Sequence, residues 1–181
     1  VQQKENERAL AGLASQLRIS GANLVNVLER LKWEQFPEKL AVANEILTYQ
    51  PNQPSALFLR GHAFYYYRRI DPFISDSDYK EKVHLAWLDF NKANNVKPND
   101  FWITHYIGLT AILRGDLALA LSSVKQAVNL NPGTASTHHS LAWAFLQLDQ
   151  PELAKVQCRK ALQLDAAHKE VRELLAQIEK K

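Results

Sequence analysis

Three stretches decide how this chain is read: AWLDFNKANNVKP at 86–98, ALSSVKQAVNLNP at 120–132 and AKVQCRKALQLDA at 154–166. Each opens on an alanine (Ala86, Ala120, Ala154), reaches a larger residue four positions later (Phe90, Val124, Cys158) and another alanine three beyond (Ala93, Ala127, Ala161). Pro98 and Pro132 close the first two, and Ala166 stands at that place in the third. The phrases recur every 34 residues, and 12 residues upstream a small residue precedes two of them: Gly108 before Ala120 and Ala142 before Ala154. Two helices joined by a short turn approach closely only where small side chains meet, because the interaxial distance follows side-chain size at the crossing. Gly108 with Ala120, and Ala142 with Ala154, supply such pairs. Ile107, Ala111, Leu141 and Phe145 fill the space around them. The punctuation between helices agrees. Gly115-Asp116 closes one helix and caps the next, Pro132-Gly133-Thr134 stops a helix and offers an N-cap, Asp100 does so before Phe101, and Pro151 suits a first helical turn.

A 34-residue unit with these positions resembles the tetratricopeptide repeat, a helix–turn–helix module with a large–small–aromatic pattern on its first helix and Ala…Phe…Ala…Pro on its second. The resemblance implies an all-α, right-handed α-solenoid of such units with capping helices at both ends. Residues 1–181 are then a single repeat domain. Residues 1–19, with Ala9, Leu10, Leu13 and Leu17 at helical spacing, form a capping helix. A degenerate repeat covers 20–53, with Leu24, Val27, Leu28 and Leu31 on one stripe, Pro37 opening the second helix and Lys39 at an alanine position. The repeat at 54–100 has Gly61 at the small position and Phe64 at the aromatic one. Gly61 to Ala86 spans 25 residues against 12 from Gly108 to Ala120, so an insertion lies at about 68–78. Asp71-Pro72 is expected to end the first helix there, and Asp78 with Glu81 reads as a capping box for a lengthened second one. Regular repeats follow at 101–134 and 135–168, and 169–181 is a closing helix with Val171, Leu174, Leu175 and Ile178 inward.

Composition narrows the function classes. With 181 residues, 46% hydrophobic content and a net charge of +3, the chain is long and apolar enough for a continuous core. The sequence pI is near 9.0, yet the cations are interspersed with acids and never clustered as a nucleic-acid footprint requires. The one cysteine, Cys158, excludes an internal disulfide and reads as a small buried hydrophobe. Arg114 and Asp116 interrupt the best apolar stretch, so no membrane span is expected. No signal peptide is recognisable, and with no methionine in the chain the natural start is expected elsewhere. The cytoplasm is slightly favoured, and a removed export signal or membrane anchor stays open.

In repeats of this kind the first helices line a concave groove, and the resemblance places its exposed positions at Ser55, Phe58, Leu59, His62, Tyr65 and Tyr66, then Trp102, His105, Tyr106, Leu109, Ile112 and Leu113. The fourth repeat adds Ser136, His139, Ser140, Trp143, Leu146 and Gln147. From these, Phe58, His62, Tyr65, Tyr66, Trp102, His105, Tyr106, Leu109, His139 and Trp143 are the candidate partner-binding residues. Relatives that grip the carboxylate tails of chaperones carry lysine, asparagine and arginine at positions that here hold Phe58 and His62, Tyr106, then Ser136 and Ser140. That cationic clamp is missing. A neutral aromatic groove fits an apolar or amphipathic helix or peptide of a protein partner, or a second copy of this chain. Aromatic stripes at helical spacing also describe a core, and Phe64, Trp87, Phe90 and Phe145 are expected there.

Two other classes stay in view. A metal- or histidine-dependent enzyme would draw on His62, His105 and His139, but no carboxylate or thiolate accompanies them at ligand spacing, and equal positions of adjacent repeats stand about 8–10 Å apart. Neither a Ser–His–acid arrangement nor a glycine-rich phosphate loop is traceable, so no catalytic residue, metal or cofactor is expected. Nucleic-acid binding would draw on Arg68 and Arg69 of the insertion. The favoured reading is a scaffold, adaptor, chaperone or sensor domain that recognises proteins.

Overall fold

The computed structural model describes residues 35–180, so the expected capping helix at 1–19 and the first helix of the degenerate repeat lie outside the described residues. The described chain is helical, with no strand among the described residues, and it divides into two compact units at Pro98–Asn99.

In the first unit, α1 (Phe36–Tyr49), α2 (Pro54–Tyr65), the single turn α3 (Tyr67–Ile70) and the long α4 (Asp76–Val96) pack together, α2 lying against both α1 and α4 and α3 touching α1 and α4. Pro37 and Pro54 stand in the first turns of α1 and α2, where a missing N–H costs nothing. Ala86, Phe90 and Ala93 are fully buried on α4. A Cβ placed on Gly61 would stand 2.9 Å from the Phe90 ring and 3.1 Å from the Ala86 carbonyl, so the crossing of α2 and α4 closes on a bare backbone. Lys39, at the alanine position of the degenerate repeat, is only 2% exposed.

The insertion departs from its expected form in two ways. Asp71-Pro72 ends the short α3 and not the first helix, which already breaks at Tyr66. The cap of α4 is Ser75, whose Oγ accepts the Asp78 N–H at 3.1 Å, one turn before the expected Asp78–Glu81 box. Ser75 takes the role because Asp76 and Asp78 then both fall in the first turn, where the helix dipole favours negative charge. Phe64 and Trp87 are also only half-buried, unlike Phe90 and Phe145.

The second unit contains α5 (Phe101–Arg114), α6 (Leu117–Leu130), α7 (Ala135–Gln147), α8 (Pro151–Leu164) and α9 (Lys169–Glu179). Each helix packs on the next, and α5 also reaches α7. The Asp100 carboxylate accepts the Trp102 and Ile103 N–H groups, and Asp116 accepts that of Leu119. Gly115 ends α5 at φ 79°, a left-handed conformation that favours glycine. Thr134 precedes α7 in extended backbone without a side-chain cap bond. Ala120, Val124 and Ala127 on α6, and Ala154, Cys158 and Ala161 on α8, are fully buried. A Cβ on Gly108 would come within 2.5 Å of Val124 Cγ2 and 3.2 Å of the Val124 backbone nitrogen. Val171 and Ile178 of α9 are buried, with Leu174 and Leu175 half-buried beside them.

Candidate partner-binding surface

The aromatic candidates of the first unit are held by one another. Phe58 stands 5.7 Å from Phe90 and 6.0 Å from His62 between ring centroids, and both Phe58 and Tyr66 are half-buried. His62 is fully buried, stacked on Phe36 at 5.6 Å and 4.8 Å from Tyr66. Burial, and then the positive charge of Lys39, pull its imidazole down to a pKa of about 3, so it is neutral at pH 7. Tyr65 is half-buried, its carbonyl accepts the Tyr79 hydroxyl at 2.9 Å, and burial raises its phenol far above the ordinary range. On the same helix, Arg60 donates two bonds of 2.7 Å to the buried carboxylate of Asp89, a fork that joins α2 to α4. The Asp89 hydrogen bond raises the Arg60 guanidinium above its ordinary value. Nothing in the sequence pattern singles out this pair, because its members lie 29 residues apart on separate helices.

In the second unit, Trp102 is 48% exposed at the start of α5, edge-on to Phe101 at 4.8 Å. The helix then closes over. Every residue from Ile103 to Ile112 is buried, including His105, Tyr106 and Leu109. Together with His62, these three expected groove residues present no open surface in this structure. The reason is compositional: a helix apolar around its whole circumference is buried around its whole circumference.

His139 and Trp143 on α7 are half-buried. His139 lies 5.4 Å from the His168 ring at the start of α9, and His168 Nδ1 is 3.2 Å from the Glu170 carboxylate. Burial and then His139 lower His105 to a pKa of about 4. Burial and then His168 lower His139, against an opposing pull from Glu170. His168 and Glu170 escaped the sequence reading because they belong to the end of one repeat and the start of the next helix. Among the described residues no group of three or more His, Cys, Asp or Glu side chains is arranged to hold a metal ion. His138, next in sequence, turns the other way to Gln157 at 2.9 Å and the Pro132 carbonyl at 3.3 Å.

Beside Trp143 opens a cavity of about 690 Å³ formed by α7, α8 and α9. Trp143, Leu146, Leu174 and Ile178 supply its apolar lining, while Gln147, Gln177, Asp149 and Glu152 edge it. Lys155 at its rim is paired with Glu152 at 2.7 Å. On the insertion, Arg68 pairs with Asp76 and lies 4.2 Å over the Tyr79 ring, which leaves Arg69 as its neighbouring exposed cation.

The helix pairs, the glycine crossings and the 34-residue phrase can be set beside solved structures. A thermophilic repeat protein of Thermus thermophilus, TTC0263, superposes with a TM-score of 0.70 over 99% of this chain and 91% of its own, at 19% identity. The chain has the tetratricopeptide-repeat fold. A MamA protein gives a TM-score of 0.67 at 11% identity, covering 88% of this chain and 81% of that one. The first such domain of Spaghetti (RPAP3), solved with the HSP90 peptide SRMEEVD, gives 0.59 at 18% identity over 70% and 90%. No family model matches the sequence, and no curated protein matches it. Among the described residues no helix of this repeat fold is long and apolar enough to cross a membrane.

Proposed function

We infer that the chain is a protein-recognition module that takes up an apolar or amphipathic peptide or helix of a partner through exposed aromatic side chains on its first helices. One observation carries the reading: Trp102 stands half-exposed on α5 and Trp143 walls an open cavity on α7, in a unit whose first-helix Tyr106 and Phe145 are buried. A large indole left in water has little reason to be there unless something covers it, and Trp anchors commonly dominate interface energies. In the first unit, Phe58, Tyr65 and Tyr66 are the residues within a partner's reach over buried His62, and in the second, Trp102, His139 and Trp143 are within reach over buried His105, Tyr106 and Leu109.

The likeness to a domain solved with an HSP90 peptide supports peptide recognition as a class. The residues here argue against an acidic ligand, since Phe58, Tyr106 and Ser140 are uncharged and the buried histidines stay neutral at pH 7. Arg68, the first cation of the insertion, is already committed to Asp76 and Tyr79, which weakens the nucleic-acid reading. Selection of peptides from a random display library on the folded chain tests the inference. Ligands rich in Leu, Phe, Trp or Ile anchors with little net charge are expected. Selection of acidic peptides whose binding collapses in moderate salt would overturn it.

A further inference from the structure

The insertion of the first unit presents a side chain with no structural task. Phe73 is 95% exposed, the most exposed large hydrophobic residue among those described. Its segment is nonetheless fastened. Asp71 Oδ1 accepts the Phe73 N–H at 3.0 Å, the Asp71 carbonyl accepts that of Ile74 at 3.3 Å, and Ser75 caps the helix that follows. Arg68 closes the segment from the other side by pairing with Asp76 and covering Tyr79. A fastened loop that holds an aromatic ring in water is organised for insertion, because little conformational freedom remains to be lost on docking.

The second unit holds a receptacle of matching chemistry. The cavity beside Trp143 has ample room for a phenyl ring at about 690 Å³, and Trp143 offers a face for aromatic packing. Charges agree as well. Exposed Arg69 precedes Phe73 by four residues, while Asp149 and Glu152 edge the cavity, Glu152 being shared with Lys155. A protruding hydrophobic residue on one part of a molecule and a fitting pocket on another make a heterologous contact, which joins copies head to tail.

We propose that this chain self-associates head to tail, with Phe73 of one copy seated in the Trp143–Leu174 cavity of the next and Arg69 facing the Asp149 rim. The proposal rests on the recognition reading above and names a second copy as the occupant of its C-terminal end. Sedimentation velocity over a concentration series of the whole chain tests it. Wild type is expected to grow past dimer with concentration. Phe73→Ser, which empties the knob, and Gln177→Trp, which fills the cavity from an exposed position of α9, are each expected to weaken association at least tenfold, with unchanged helicity. Mixed together, these two variants retain one working contact per pair and are expected to stop at a heterodimer. A wild type that stays monomeric, a Phe73→Ser variant that assembles like wild type, or a mixture that stays monomeric would each overturn the proposal. None of these outcomes touches the display selection above, which reads foreign peptides on the monomer, so the two readings fail separately.

Discussion

At the scale of single residues, the tightest constraints sit where a backbone has no side chain. Gly108 lies so close to Val124 that even a methyl group would displace it, and Val124 is itself fully buried. Replacing Gly108 by leucine is expected to overpack the crossing of α5 and α6 and to cost roughly 1–3 kcal/mol or more, read as a lowered urea midpoint. An unchanged midpoint would mean that the two helices do not meet there. The histidines make a second residue-scale prediction. His105 is held to a pKa of about 4 in the fold, against an ordinary 6.5 in the unfolded chain. Since the folded value is the lower one, its neutral form supports the fold fully above about pH 6.5. That support drains away as pH falls toward 4, because the unfolded chain takes up the proton first. His62 acts in the same direction, down to about pH 3. Thermal unfolding midpoints should therefore fall between pH 7 and pH 4, and His105→Gln should flatten the slope. An identical slope in the variant would show that other groups govern it.

For individual elements, the second helices were legible and the internal structure of the insertion was not. The nine residues of the three phrases, from Ala86 to Ala161, are all fully buried, as their spacing on one helical face requires. The start of α4 was misplaced by a turn. Asp78 and Glu81 satisfy the capping-box pattern, but Ser75 does too when paired with Asp78, and sequence alone does not rank two overlapping caps. Ser75→Ala is expected to cost about 1 kcal/mol of stability and Glu81→Ala almost nothing, by denaturant titration. Equal losses would restore the later cap. The Arg60–Asp89 fork joins α2 to α4 across 29 residues. No periodicity reports such a pair. Arg60→Ala is expected to cost about 1–3 kcal/mol, because it leaves a buried carboxylate without its donor. A neutral result would mean that water replaces the guanidinium.

For the whole molecule, the all-helical repeat fold was legible in three alanines and two small residues, while which first-helix side chains stay open was not. Repeat position says which way a side chain points, not what else covers that direction. His105, Tyr106 and Leu109 stand at positions that the resemblance assigns to the groove and are buried all the same. Trp102, the cavity beside Trp143 and the fastened Phe73 are among what the fold leaves open. The central claim is that recognition runs through these neutral aromatic anchors and not through charge. Its most direct test is the affinity of one display-selected peptide for wild type, Trp102→Ala and Arg69→Ala, each measured by calorimetry at low and moderate salt. Trp102→Ala is expected to lose about 2 kcal/mol, roughly 30-fold in affinity, with helicity intact. Arg69→Ala and added salt should change little. Normal binding by Trp102→Ala, with binding abolished in Arg69→Ala or by salt, would contradict the account.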